Sequence, residues 1–396
     1  MRKVRDGTSI LGYGYQPPAR TPQAEPGRAT DAAAYGLHAD HSVRLLATNL
    51  PGVFTKVRGE NQTADPLSIA PLIHSTLLAR LQTSETPAAR SFRERVLARR
   101  WRPEDQIVPV LASRLGVTHQ LTARVELADT AFISNNWAGS TIPGTWDNAT
   151  GIWRVPTVDR PSTPQGSSGG WNSSSWVGID GTYGSNDVLQ AGVQQAVSGG
   201  GDASYVPWFE WFVPNQSGPP SYIFQTNIAD MRIDPGDEVF CLVQYVGRQG
   251  EVLFGNVDRG HYVSLVLAPP PGASFSGNSA EWIVEAPNAG EPTTSLPRFT
   301  PVVFSTAVAT NPLGTDGNPA NGDTTNISRF GAPLTSVSLR QHALEIDYQA
   351  PGWLHNLPSA AVGAVPAALG TSPTSWYTTP EDVQHIAYVG TDAQIH

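Results

Sequence analysis

From residue 134 to residue 348 the chain is a succession of short apolar or alternating runs, each closed by Gly, Pro, Asn or Asp, with no helix-length apolar period between them. Such runs suit antiparallel strands that each hide one face, so the region is expected to be all-β, an antiparallel two-sheet β-sandwich of the concanavalin-like kind. Strands are expected over 151–155, 175–179, 188–193, 205–213, 238–245, 261–267, 281–285 and 300–307. A Gly/Asn/Asp-rich stretch at 311–325 precedes two more, over 336–339 and 343–348. The 38 Gly and 34 Pro fit a loop-rich β protein, while 11 Trp, 11 Tyr and 12 Phe supply apolar area for a core.

The flanks have a different texture. Residues 1–60 are rich in Pro, Ala, Gly and Arg without sustained periodicity. Amphipathic helices are expected over 67–81 and 88–101, the second with Phe92, Val96 and Leu97 as its stripe, Arg90, Arg93, Arg95, Arg99 and Arg100 around it, and Pro103 as its stop. Residues 1–130 therefore read as a partly helical N-terminal extension, a leader or prosegment; 131–349 is the sandwich, and 350–396 a separate tail. The leader carries 17 Lys and Arg against 12 Asp and Glu, the remainder 8 against 22. The two parts should attract each other, with the arginine-rich helix expected over an acidic cleft and released as carboxylates protonate. Self-cleavage is then expected between Gln120 and Asn135.

Other features narrow the class. A net charge of −9 argues against a nucleic-acid partner. The single cysteine, Cys241, excludes an intrachain disulfide and any multi-cysteine metal site, and its apolar run reads as a buried strand. No stretch is long enough to span a membrane, and the charged start is followed by Asp6 and Gly7 where a signal peptide needs an apolar core, so no signal peptide is visible. No His-Glu-x-x-His, Gly-x-Ser-x-Gly or phosphate-binding loop is present, His261 reads as structural, and neither a metal nor a cofactor is expected.

What remains are Gln, Glu, Trp and Asp at strand positions. A period of two puts Leu189, Ala191 and Val193 on one face and Gln190, Gly192 and Gln194 on the other, a polar face with room above Gly192. Likewise Glu281, Ile283 and Glu285 oppose Trp282 and Val284, and Trp176 shares a face with Asp180. Glu210 stands among four aromatics, where a charge is costly unless paired or functional.

The runs Asn135-Asn136-Trp137-Ala138-Gly139, Trp153-Arg154-Val155-Pro156, Trp176-Val177-Gly178-Ile179-Asp180-Gly181, Leu189-Gln190-Ala191-Gly192, Tyr205-Val206-Pro207-Trp208-Phe209-Glu210-Trp211 and Ala280-Glu281-Trp282-Ile283-Val284-Glu285 resemble, in order, the signature blocks of the glutamic peptidases, or eqolisins. The resemblance implies an acid endopeptidase, a monomer made as a precursor and secreted, acting on polypeptides. It makes Gln190 and Glu285 catalytic, and Trp137, Trp176, Asp180, Trp208 and Glu210 cleft or supporting residues. Val206 departs from the family, which often has an acidic residue there, and the missing disulfides point to a bacterial-type member. The tail resembles one blade of lectin-like propellers, which cannot bury its faces alone and implies a truncated chain and weak carbohydrate contact.

Two other readings compete. A glycoside hydrolase on a similar sandwich would use Glu210 and Glu285 as its paired acids, with the tryptophans as sugar platforms, but gives Gln190 no role. A non-enzymatic carbohydrate-binding protein would draw on the tail and the aromatics.

Overall fold

The structure, a computed structural model, describes residues 111–114, 116–121, 124–128, 131–161, 170–216, 221–288, 295–329, 332–340 and 343–350, with shorter pieces at 43–46, 53–57, 374–378, 383–387 and within 90–107. It is all-β in the sense expected, with the strands gathered chiefly into two large sheets. One has at its centre Ala203–Phe212, Val188–Ser198, Gly170–Ile179, Ser279–Glu285 and Trp137–Pro143, paired antiparallel in that order. The other is built on His261–Leu267, Gln249–Asn256, Glu238–Val246 and Asn148–Arg154.

The alternation read from the sequence sets which face is buried between the sheets. Leu189, Ala191, Val193, Trp282 and Val284 join Val239, Cys241, Val243 and Phe254 in one core. Polar groups tie the sheets across it: Trp282 Nε1 donates to the Thr150 carbonyl at 2.7 Å, and Trp153 Nε1 to Ser175 Oγ at 2.9 Å. Removing a tryptophan so enclosed costs about 3–5 kcal/mol, through lost burial and the cavity left behind. Cys241 is the buried strand thiol expected, its Sγ against the Ala191 carbonyl, and burial pushes its pKa well up.

Several expectations need correction. Of the 300–307 run only Val302–Phe304 is a strand, and Arg298–Phe299 before it and Val308–Thr310 after it pair in two other sheets. The leader is not mainly helical where it is described. Val43–Leu46 and Val53–Val57 are strands, the second pairing with His261–Leu267 and covering what would otherwise be an open sheet edge. Leu111–Ser113 likewise adds beyond Thr226–Ile228.

The helix expected at 67–81 lies outside the described residues, and of that at 88–101 one π-helical turn is described, Arg93–Leu97. Its position also differs from expectation. Phe92 meets Phe240 edge-on at 6.3 Å, and Arg95 pairs with Glu238 and donates to Ser305 Oγ at 2.6 Å. Phe240 alternates with the core residues Val239 and Cys241, so this turn lies on the outer face of the second sheet and not over the cleft. A count of charges gives an overall attraction but cannot say which carboxylate an arginine finds.

The described part of the tail is an antiparallel hairpin, Thr374–Thr378 with Val383–Ala387, which carries no argument for a propeller blade. Among the described residues no helix is long and apolar enough to cross a membrane, and no group of three or more His, Cys, Asp or Glu is placed to hold a metal ion.

Candidate active site

The face of the first sheet turned away from the core carries the polar residues. Its register sets out three rows. Glu281, Gly178, Gln190 and Glu210 stand side by side across four strands. Ile283, Trp176, Gly192 and Trp208 form the next row, and Glu285, Ser174, Gln194 and Val206 the third. Gly178 has to be small: a Cβ there would lie 2.8 Å from the Trp176 ring and 3.3 Å from Gln190 Cβ. Gly192 corrects the sequence reading, because the space above it is taken. A Cβ would meet the Ser175 carbonyl oxygen at 2.2 Å and Trp176 Cβ at 2.5 Å. Trp137, Trp176, Trp208 and Ile283 form a second, smaller apolar cluster on this face, which Leu121 helps to cover.

Glu285 is fully buried here. Its Oε2 accepts from Trp176 Nε1 at 2.8 Å and lies 3.0 Å from His119 Nδ1, while Oε1 accepts from Asn136 Nδ2 at 3.1 Å. Burial raises its pKa, and His119 and the Trp176 donor oppose the rise. Gln190 Nε2 donates to Glu210 Oε2 at 2.7 Å and to the His119 carbonyl at 3.2 Å. Both neighbours are acceptors, which fixes which end of the amide is nitrogen. The buried Gln190 Oε1 has no protein partner.

Glu210 Oε2 also accepts from the His119 backbone N–H at 3.1 Å, and its Oε1 is unpartnered. Burial, with the Glu285 charge adding, pushes its pKa well up against these donors. Glu210 therefore resists ionisation more than an ordinary carboxyl, and Oε1 is its oxygen without a partner.

Of the residues singled out in the sequence, Gln190, Glu285, Glu210, Trp137, Trp176 and Trp208 stand on this face. Asp180 does not touch Gln190 or Glu285. It closes the strand at positive φ (69°), and its carboxylate accepts from Tyr245 Oη at 2.8 Å, Gly277 N at 3.1 Å and Asn278 N at 2.9 Å. It therefore anchors the turn that leads into Ser279–Glu285. Sequence reading missed His119 and Gln225. The His119 ring stacks on Trp208 at 3.7 Å and 7°, and its Nε2 faces Gln225 Oε1 at 3.1 Å. Nothing in Gly116-Val117-Thr118-His119-Gln120 marks a site.

Glu281 supports a prediction. It is fully buried, Oε2 has no partner, and burial, with the nearby Asp180 charge, raises its pKa well above 4.5. A carboxyl with a raised folded pKa contributes stability that is complete below its unfolded value and lost as pH rises through the folded one. Glu281→Gln removes that loss. Thermal melting at about pH 4 and about pH 7 should show the wild type falling between the two, and the variant falling by several degrees less, as about 1–3 kcal/mol for a poorly satisfied buried group implies. Equal falls in the two proteins would contradict this assignment.

The comparisons with known proteins bear on the same strands. Residues 135–348 match the model of the Peptidase A4 family. Aspergillopepsin-2 of Aspergillus niger is 28% identical over 230 residues, 54% of this chain and 78% of that protein. Scytalidopepsin B of Scytalidium lignicola is 27% identical over 160 residues, 40% of this chain and 54% of that protein. Among solved structures, scytalido-glutamic peptidase with a peptide based transition state analog aligns at a TM-score of 0.45 with 21% identity, covering 54% of this chain and 98% of that one. Aspergilloglutamic peptidase from Aspergillus niger aligns at 0.40 with 26% identity, covering 45% and 99%. The family match spans more than half of the chain and takes in all five central strands of the site, so this chain belongs to the Peptidase A4 family and is an enzyme of the glutamic-peptidase type.

Proposed function

We propose that the protein is an acid endopeptidase in which Glu285 and Gln190 hydrolyse peptide bonds with an activated water. The observation that carries this reading is the pair of contacts that His119 makes, its ring on Glu285 and its carbonyl on Gln190 Nε2. A peptide lying in the cleft thus meets an acid–base group and an oxyanion donor together. Glu285 as carboxylate takes a proton from water; the water oxygen attacks the carbonyl carbon, and Gln190 Nε2 donates to the oxygen as it becomes negative. Glu285 then passes the proton to the departing nitrogen. Gln190 Oε1, with no protein partner, is free to accept from the water. Glu210 keeps the amide turned the right way through Oε2.

In this reading residues 1–130 are a prosegment, 131–349 the catalytic sandwich, and the enzyme a secreted monomer. The tail from 350 would add at most weak carbohydrate contact. A glycosidase reading leaves Gln190 idle, whereas in the structure it contacts both Glu210 and a peptide carbonyl.

The test is an assay of purified protein, after acid incubation, on a denatured protein and on polysaccharides at about pH 3–5, where a carboxylate of ordinary pKa begins to ionise. New peptide N-termini, no new reducing sugar ends and full activity in a chelator are expected. Sugar release without peptide cleavage would replace this reading by the glycosidase one.

A further inference from the structure

The segment that carries His119 crosses the cleft held like a ligand. Thr118 exchanges two backbone hydrogen bonds with Asn288, at 2.9 and 3.0 Å, and the Val117 carbonyl accepts from Gln225 N at 3.0 Å. The His119 N–H goes to Glu210, its carbonyl accepts from Gln190, and both ring nitrogens face acceptors, Glu285 Oε2 and Gln225 Oε1. Gln225 is itself oriented by donating to Gln194 Oε1 at 2.6 Å and Asn227 Oδ1 at 2.7 Å. The next carbonyl, of Gln120, accepts from Asn136 Nδ2 at 2.8 Å, and that same nitrogen donates to Glu285 Oε1. The peptide link between His119 and Gln120 is therefore bracketed: the oxyanion donor is on its carbonyl, and the residue that touches the base is on the carbonyl that follows.

We propose that His119–Gln120 is the bond this enzyme cuts in its own chain, and that the His119 imidazole, seated on Glu285, keeps the bond intact until it is displaced. This deepens the peptidase reading and rests on it. One water is consumed. Its oxygen bonds to the His119 carbonyl carbon, the C–N bond to Gln120 breaks, and the water proton taken by Glu285 is delivered to the Gln120 nitrogen, leaving His119 as a new carboxyl end and Gln120 as a new amino end. While the imidazole is in place it fills the side of Glu285 on which a water would be activated.

The titratable groups beside His119 are Glu285, on the ring, and Glu210, on the backbone N–H. Arg114, on the same segment, is held at Gln194 by a 2.8 Å bond, and Trp208 and Gln225 are neutral. Acid weakens the hold of Glu285 on the ring by protonating the carboxylate. Water entering as the ring leaves relieves the burial that raises the Glu285 pKa, so the carboxylate can form again in the open cleft. The bond lies immediately before the window read from the sequence, 120–135.

The full-length chain, prepared at about pH 7 and shifted to about pH 4, is followed by intact mass and N-terminal sequencing, as wild type, Glu285→Gln, His119→Phe and His119→Gln. Phe keeps the stack on Trp208 and loses both ring hydrogen bonds; Gln loses the stack. The wild type should acquire Gln120 as its amino end at a rate independent of protein concentration, and Glu285→Gln should not. Either His119 variant, if folded by circular dichroism, should be cut at the same bond about tenfold faster or more, since a charge-assisted hydrogen bond no longer holds the ring on the base. A different amino end in a protein that still digests added denatured substrate would overturn the processing site alone. Unchanged rates in both His119 variants would overturn the plug. Failure of the acid-treated wild type to digest any added protein would instead sink the peptidase reading.

Discussion

Glu285→Gln should lower kcat/KM on a denatured protein in acid by about 10²–10⁴-fold, the usual contribution of a positioned acid–base group. The substitution is nearly isosteric. Trp176 Nε1 and Asn136 Nδ2 both donate to the carboxylate in the wild type, and an amide can accept only one of them through its oxygen. A small cost in stability is therefore expected alongside the loss of rate, and melting curves separate the two. The loss should fall on kcat with KM little changed, because Glu285 acts on the water and the departing nitrogen more than on the bound peptide. Wild-type rates in a folded Glu285→Gln protein would remove Glu285 from the mechanism. The comparison belongs on chain already trimmed of the leader by added wild-type enzyme, so that failure to mature is not mistaken for failure to catalyse.

How much of this could be read beforehand depends on the range over which each residue is determined. Gln190 and Glu285 were legible because a strand's period of two assigns faces locally, and Leu189, Ala191, Trp282 and Val284 had to take the buried one. Cys241 was legible for the same reason. Gly192 was misread because alternation gives a face but not what a neighbouring strand puts above it; there Trp176 does so. The 300–307 run follows the same limit: its residues are apolar enough for one strand, but pairing is confined to Val302–Phe304, and the strands just before and after it have other partners. His119 was invisible because its meaning lies entirely in partners far along the chain, Glu285 being 166 residues away and Gln225 106. The charge asymmetry of the leader predicts an attraction to the acidic part without saying where, and Arg95 in the described turn pairs with Glu238 on the outer face of the second sheet. Net charge sets a long-range attraction, whereas docking is decided by local apolar fit, in this case Phe92 on Phe240.

Gln190→Ala should cost about 10²–10³-fold in kcat, the loss measured when one oxyanion donor is taken from a comparable site, equivalent to about 2.7–4 kcal/mol. Truncation also leaves Glu210 Oε2 with the His119 backbone N–H as its remaining donor, so part of any stability change is Glu210 losing a partner. Gln190→Glu separates donation from occupancy. A glutamic acid fills the same space, but it can donate to the oxyanion only while protonated, and it would stand beside Glu210, whose own pKa is already pushed up by burial and by the Glu285 charge. A third carboxyl in that setting should titrate high, since like charges and burial both disfavour ionisation. Gln190→Glu is therefore expected to recover a measurable part of the lost rate at the acid end of the profile and to lose it as pH rises, while Gln190→Ala stays low throughout. The wild-type amide is neutral at every pH and shows no such extra limb. If Gln190→Ala keeps a rate within about tenfold of wild type, or if the two variants share one pH profile, some other group holds the oxyanion and Gln190 is not its donor.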